Sequence, residues 1–230
     1  MNPKRTYQTF TYREAVFRIC CEQFDAVTHE IISQRHALEA YLRIHPEFQQ
    51  TLTPIDLLPE APEVAHRMAR AAQGAGVGPM AAVAGAMAQC AAQAGLKAGA
   101  SEVIVENGGD IYLQTVEPVV IGLAPGTAEL TRQLAFSLQP SDTPISICSS
   151  SGCMGHSMSL GRCDLATVVA TDAALADAAA TQAANLVTDE KDVNPTLERI
   201  EAIPGIRGIL IVKDDRIGLA GQLPALVKIE

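Results

Sequence analysis

The chain has 230 residues, 48% apolar and 19% charged, which is enough to bury a sizeable core in the proportions of an ordinary globular protein. A formal charge of −9 runs against the basic surface that a phosphodiester backbone demands, so nucleic acid is not expected as a partner. The six cysteines form no Cys-x-x-Cys pair, and Cys148, Cys153 and Cys163 around His156 fit no zinc-ligand spacing.

Residues 2–12 are polar, and Arg13, Glu14 and Arg18 precede Cys20 and Cys21, so no leader or lipoprotein signal is read and a cytoplasmic location is expected. Residues 6–24 alternate loosely and predict a β-hairpin or two short strands. In residues 25–44 the period changes: Val27, Ile31, Leu38, Tyr41 and Leu42 share one face, which predicts an amphipathic helix. Pro46, Pro54, Pro59 and Pro62 then mark a surface loop, with Pro62 opening a helix to about residue 73. Gly74, Gly76 and Gly78 break that helix, and Pro79 opens an uncharged one over residues 80–94 that belongs at the centre of the fold.

Strands are expected at 102–106, 111–115, 119–123, 133–138, 145–148 and 166–171, and helices at 173–186 and 195–203. A hairpin over 208–219, turning at Asp214 and Asp215, closes the chain. Hairpins beside packed helices, without βαβ repetition, give an α+β fold, and no linker divides residues 1–230 into separate domains. Residues 1–60 supply the N-terminal hairpin and helix, and residues 74–187 the motif-bearing core. The nearly uncharged stretches 77–96 and 165–187 are dominated by Ala and Gly and interrupted by Gln or Asp, so they read as buried core and not as membrane spans.

Four stretches carry candidate chemistry. The glycine loop around Gly76 and Gly78 follows a helix where a dinucleotide fingerprint follows a strand. It reads either as a tight helix-to-helix turn or as free N–H groups offered to an anion. Asn107-Gly108-Gly109-Asp110 is a strong hairpin signal, and residues so small also let a ligand lie against backbone. Ser150-Ser151-Gly152, followed by His156 and Ser157, is a hydroxyl-rich loop. Its Gly155-His-Ser-Met-Ser run is not a hydrolase elbow, because a strand follows it and no histidine lies downstream. Asp177 and Thr181 stand one turn apart on an alanine-rich helix, either satisfied by neighbouring backbone or set to hold a hard cation such as Mg²⁺.

Taken in order, the glycine loop, the strand with Gly-Gly-Asp, Ser-Ser-Gly, and Ala176-Asp-Ala-Ala-Ala-Thr181 resemble the ApbE-like flavin transferases, once called thiamine-biosynthesis lipoproteins. The longer spellings resemble more closely a stand-alone branch of that superfamily without a settled activity. They are Val77-Gly-Pro-Met-Ala-Ala-Val-Ala-Gly85, Val105-Glu-Asn-Gly-Gly-Asp110, Ser150-Ser-Gly-x-x-Gly-His-Ser157 and His45-Pro-Glu-Phe48. The resemblance implies an ApbE-like fold of mixed or antiparallel sheets packed with Ala-rich helices. FAD or FMN would lie near Gly76, Gly78, Asn107, Gly108, Gly109, Ser150, Ser151, Gly152 and Ser157. Mg²⁺ would sit on Asp177, Thr181 and a nearby backbone carbonyl, with His156 and Asp110 as proton-moving or positioning groups. It also implies a nucleotide-like substrate and a protein acceptor, the alternative being a ligand-binding or accessory protein that keeps the pocket without flavin transfer. In contrast to the flavin transferases, His156 follows the Ser-Gly motif at once, and the chain has no Trp to stack on a flavin ring.

Overall fold

Alternation along the apolar strands sets the layers. The computed structural model describes residues 5–123, 133–152 and 161–228. In chain order the strands are β1 (Gln8–Tyr12), β2 (Ala15–Cys21), β3 (Val103–Asn107), β4 (Asp110–Gln114), β5 (Val119–Gly122), β6 (Leu134–Leu138), β7 (Ile145–Ser150), β8 (Leu165–Ala170), β9 (Ile206–Lys213), β10 (Arg216–Gly221) and β11 (Ala225–Lys228). An eight-stranded sheet runs β1-β2-β3-β4-β7-β8-β9-β10, and a three-stranded sheet runs β11-β6-β5. Every described pairing is antiparallel.

One face of the large sheet, with Ile111, Leu113, Ile145, Ile147, Leu165, Val169, Leu210 and Val212, packs on Val119, Ile121, Phe136 and Leu138 of the small one. The residues between them, among them Val103, Val105, Cys148, Val168, Ala170, Ile209 and Ile211, face the helices. A period of two thus supplies two cores from one sheet.

The helices are α1 (Phe24–Ile44), α2 (Pro46–Gln50), α3 (Glu63–Ala75), α4 (Val83–Lys97), α5 (Ala173–Leu186) and α6 (Val193–Glu201). α4 and α5 are almost wholly alanine and glycine on their buried faces, which lets them lie close to each other and to the sheet. No single described helix is long and apolar enough to cross a membrane. α3 and residues 79–97 pass such a test only as a pair bent by 105°.

The N-terminal hairpin, the long first helix and the Asn-Gly-Gly-Asp turn stand where the sequence places them. Gly108 and Gly109 have φ of 64° and 104°, as a two-residue hairpin loop with both positions left-handed requires. Four expectations are corrected. Residues 46–50, read as loop, form α2, because Pro46 suits a first helical turn and Phe48 is fully buried. Pro79 opens a 3₁₀ turn, Pro79–Ala82, and α4 starts only at Val83. The last helix starts at Val193, ahead of Pro195, whose missing N–H is unneeded in the first turn. β11 was not foreseen; its pairing with β6 is set by a partner some ninety positions earlier.

The segment between α2 and α3 is tied down from below. The Tyr41 hydroxyl accepts the Leu58 N–H at 3.0 Å and shares a hydrogen bond with His45 Nδ1 at 2.8 Å, both in the shelter of Phe48. Tyr41→Phe leaves an amide and an imidazole nitrogen without this partner, and is expected to cost about 2 kcal/mol in urea unfolding. A cost below the error of that measurement would remove the tie.

Candidate functional site

The site is built where two helices begin. At the start of α4 the first amides have no intrahelical partner, and Gly85 donates its N–H to Asp177 Oδ2 at 2.9 Å. At the start of α5, Ala173 donates its N–H to Gln89 Oε1 of α4 at 2.8 Å, and Leu175 donates to the Asp172 carboxylate at 2.9 Å. Each helix therefore supplies a side chain that caps the other. The backbones are close enough that a Cβ on Gly85 would stand 2.2 Å from the Ala173 carbonyl oxygen and 2.9 Å from Asp177 Cβ.

The sheet brings the rest. Asn107 and Asp110 flank the Gly-Gly turn as a cross-strand pair, and the Asn107 amide donates to the Ala84 carbonyl at 3.2 Å. Asp110 is 7% exposed and Asp177 8%, and the charge of each acts on this one buried space. Ile111 pairs with Ile147, so Asp110 and Cys148 are neighbours on the helix-facing side. Cys148 directs its S–H to the Ala173 carbonyl at 3.5 Å. Among the described residues Asp110 Oδ1 has no hydrogen-bond partner.

Burial and then the Asp177 charge push the Asp110 carboxyl well above the usual carboxylate range, against the Cys148 thiol and the Ser149 amide. Burial pushes Asp177 up to about 7, although the Gly85 and Ala84 amides pull the other way. Burial, reinforced by the two carboxylates, raises the Cys148 thiol as well, so it is a poor nucleophile. Two carboxyl groups buried together favour keeping a proton between them; among the described residues no group of three or more His, Cys, Asp or Glu side chains is placed to hold a metal ion.

Thr181 is buried one turn beyond Asp177. The glycine loop reaches the same stretch of α5. Gly76, at φ 75°, ends α3 in the left-handed conformation, and a Cβ there would lie 4.0 Å from the Gln182 amide nitrogen. Gly78 is held elsewhere, with its Cα side 2.0 Å (at a Cβ position) from the Thr51 carbonyl oxygen, so its small size serves chain packing. Around Gly108 and Gly109 none of the described residues, apart from chain neighbours, comes within 4 Å of a Cβ position.

Ser150 ends β7, paired with Ala166 of β8, and Ser151 and Gly152 continue from it. The Gly152 N–H donates to the Cys163 carbonyl at 2.8 Å, and the Gly152 backbone crosses that of Gly161. Gly161 in turn lies on the Ala184 carbonyl, a full two turns of α5 from Asp177. Asn107, Asp110 and Asp177 thus meet at one end of α5 and the Ser-Gly neck at the other, with Thr181 between them. His156 and Ser157 lie outside the described residues. Sequence reasoning missed Gly85, Gln89 and Cys148; the signal available was a glutamine and a glycine inside a helix otherwise built to be fully apolar.

The family model described as AbpE bacteria matches residues 17–204. The chain is 37% identical over 223 residues to a UPF0280 protein of Methanosarcina barkeri, covering 95% of this chain and 88% of that one. It is 39% identical over 224 residues to one of Archaeoglobus fulgidus, covering 94% and 92%. Among solved structures it is similar to the flavin transferase ApbE of Vibrio cholerae, at a TM-score of 0.54 and 13% identity, with 94% of this chain and 96% of that one covered. It is also similar to the ApbE protein of Thermotoga maritima, at a TM-score of 0.58, 13% identity and the same coverage of 94% and 96%. The α+β architecture and these matches agree: the fold is ApbE-like, and the chain belongs to the AbpE bacteria family, with UPF0280 proteins among its relatives.

Proposed function

We propose that the chain is a metal-assisted transferase that binds FAD or a related flavin nucleotide and passes its FMN part to a hydroxyl of a partner protein. The observation that carries this reading is the idle, buried Asp110 Oδ1 beside Asp177. The donor set is all oxygen and doubly negative when ionised, which suits Mg²⁺. Asp177 and Thr181, joined by Asp110, would hold the ion, and when bound it would neutralise charge on the phosphates as the anhydride breaks.

The chain's own residues have separable tasks in this reading. Asn107 fixes the Ala84 carbonyl at the mouth of α4, so the first amides of that helix keep their direction. Gly76, Gly108 and Gly109 would leave room for a ligand to lie against backbone, and Ser150, Ser151 and Gly152 would form the far wall. With Asp110 on the ion, His156 would take the proton from the acceptor hydroxyl as its oxygen bonds to phosphorus and AMP departs. The free thiols of Cys20, Cys21, Cys90, Cys148 and Cys163 support a reducing compartment, and we place the protein in the cytoplasm.

Purified protein with FAD and Mg²⁺ is expected to release AMP and to label a threonine- or serine-bearing peptide. Asp110→Asn is expected to slow that release by about 100-fold while the protein still unfolds cooperatively. Saturable binding of FAD and Mg²⁺ with neither AMP release nor labelling would replace transfer by ligand binding alone. Binding of neither would sink the reading.

A further inference from the structure

α3 has two working faces. Val64, Ala65, Met68, Ala71, Ala72 and Ala75 are buried toward the core, and the opposite side carries His66, Arg70 and Gln73 at helical spacing. Over that outer side runs the segment between α2 and α3, leaving a half-open groove of about 520 Å³ lined by Ile55, Asp56, Leu57, His66, Arg70 and Gln73. The volume is that of a small-molecule site.

The groove's far wall is fixed on both sides. Tyr41 holds Leu58 from below through the bond already described, and the Gly78 backbone lies against Thr51 and Leu52. The groove is therefore part of the folded frame and does not depend on a ligand to form it.

Its polar groups are idle. Arg5, Arg13, Arg18, Arg35 and Arg67 each pair with a carboxylate, Arg67 on this very helix with Glu63. Among the described residues Arg70, His66, Gln73 and Asp56 make neither an ion pair nor a side-chain hydrogen bond. A guanidinium left unpaired in a chain of charge −9 offers a planar fork of donors to an oxyanion, and the imidazole and amide extend that donor row along the helix. Ile55 and Leu57 face the same space with apolar surface, and Asp56 can accept from a hydroxyl or an N–H.

We propose that this groove is a second ligand site, taking a small organic oxyanion: one phosphate or carboxylate head on Arg70, His66 and Gln73, and an apolar body on Ile55 and Leu57. It is separate from the carboxyl pair, since α3 itself stands between the groove and α5, and it does not rest on the transferase reading. The sign of the charge is also opposite: one site calls for a cation and the other for an anion.

Phenyl phosphate and benzoate, titrated separately by calorimetry into the intact protein at low ionic strength, test this. At least one of them is expected to bind saturably, and the tighter of the two identifies the head group. Arg70→Ala should weaken that binding by about tenfold or more, Arg70→Lys by less, and Asp177→Asn not at all. Arg70 is exposed, so these variants are expected to keep the parent unfolding curve. No saturable binding of either compound would overturn the proposal. So would binding that survives Arg70→Ala, or binding that Asp177→Asn removes, which would move the ligand to the other site.

Discussion

Gly85→Ala is expected to destabilise the protein by about 3 kcal/mol and to abolish its response to Mg²⁺. Replacing glycine by alanine inside a helix ordinarily gains about 1 kcal/mol. Here the added methyl would stand 2.2 Å from the Ala173 carbonyl oxygen, 2.7 Å from its carbon and 2.9 Å from Asp177 Cβ. No rotamer relieves a clash with backbone, so α4 and α5 must move apart. That motion lengthens both reciprocal caps, from Gly85 to Asp177 and from Ala173 to Gln89, and draws Asp177 away from Asp110. Gly95, in the same helix, is the internal comparison. A Cβ there meets the ends of two side chains, Cys21 Sγ and Val27 Cγ2, both at 2.9 Å, and side chains can yield. Urea unfolding should therefore rank Gly85→Ala well below Gly95→Ala. Equal stability of the two would mean that the α4–α5 contact is looser than its geometry, and the site argument would weaken with it.

That contact also marks the limit of what the sequence discloses. The hairpin turn at Asn107–Asp110 was legible because two glycines between apolar runs have few other uses. The burial of α4 and α5 was legible because helices so rich in Ala and Gly and so nearly uncharged have nowhere else to go. Asp177 and Thr181 were legible as one face of one helix by simple spacing. What the spacing could not say is which amide Asp177 meets, since Gly85 lies 92 positions earlier. The same holds for Asp110: its side of the sheet follows from alternation, but its approach to Asp177 depends on how β4 and α5 are brought together. Short elements were missed for a related reason. α2 has five residues, and only the burial of Phe48 in the tertiary structure justifies it. In three dimensions Gly152 of the Ser-Gly stretch meets Gly161, which lies on Ala184 toward the other end of α5.

In metal-free buffer the protein is expected to be more stable at pH 5 than at pH 8. Asp177 titrates near 3.8 when free and is pushed up to about 7 in the fold, so between those values the native state holds a proton that the unfolded chain has lost. Stability then falls as pH rises through that window, by about 1.4 kcal/mol per pH unit for one proton and up to about 4 kcal/mol over the whole of it. Asp110 is raised too and adds in the same direction. The carboxylates that are held low act with the opposite sign: Asp192 at about 2, by its bonds to Thr188 and Asp189, Glu102, by Arg5, and Glu14, by Arg35. Their windows close near or below the ordinary carboxylate range, so a comparison from pH 5 upward isolates the buried pair. Mg²⁺ should reverse the trend. It competes with the proton for the same oxygens, so its stabilisation grows as the pair ionises, and the curve with saturating Mg²⁺ should diverge from the metal-free curve toward pH 8. Asp177→Asn separates the two roles of this residue. The amide oxygen can still accept the Gly85 N–H, so the cap is kept, but no proton is taken up and one negative charge is gone. That variant should flatten the metal-free slope and lose the Mg²⁺ shift together. If it keeps the parent's slope, the buried charge lies elsewhere. If it loses the slope but keeps the Mg²⁺ shift, the ion is not held here, and Asp177 is a helix cap alone.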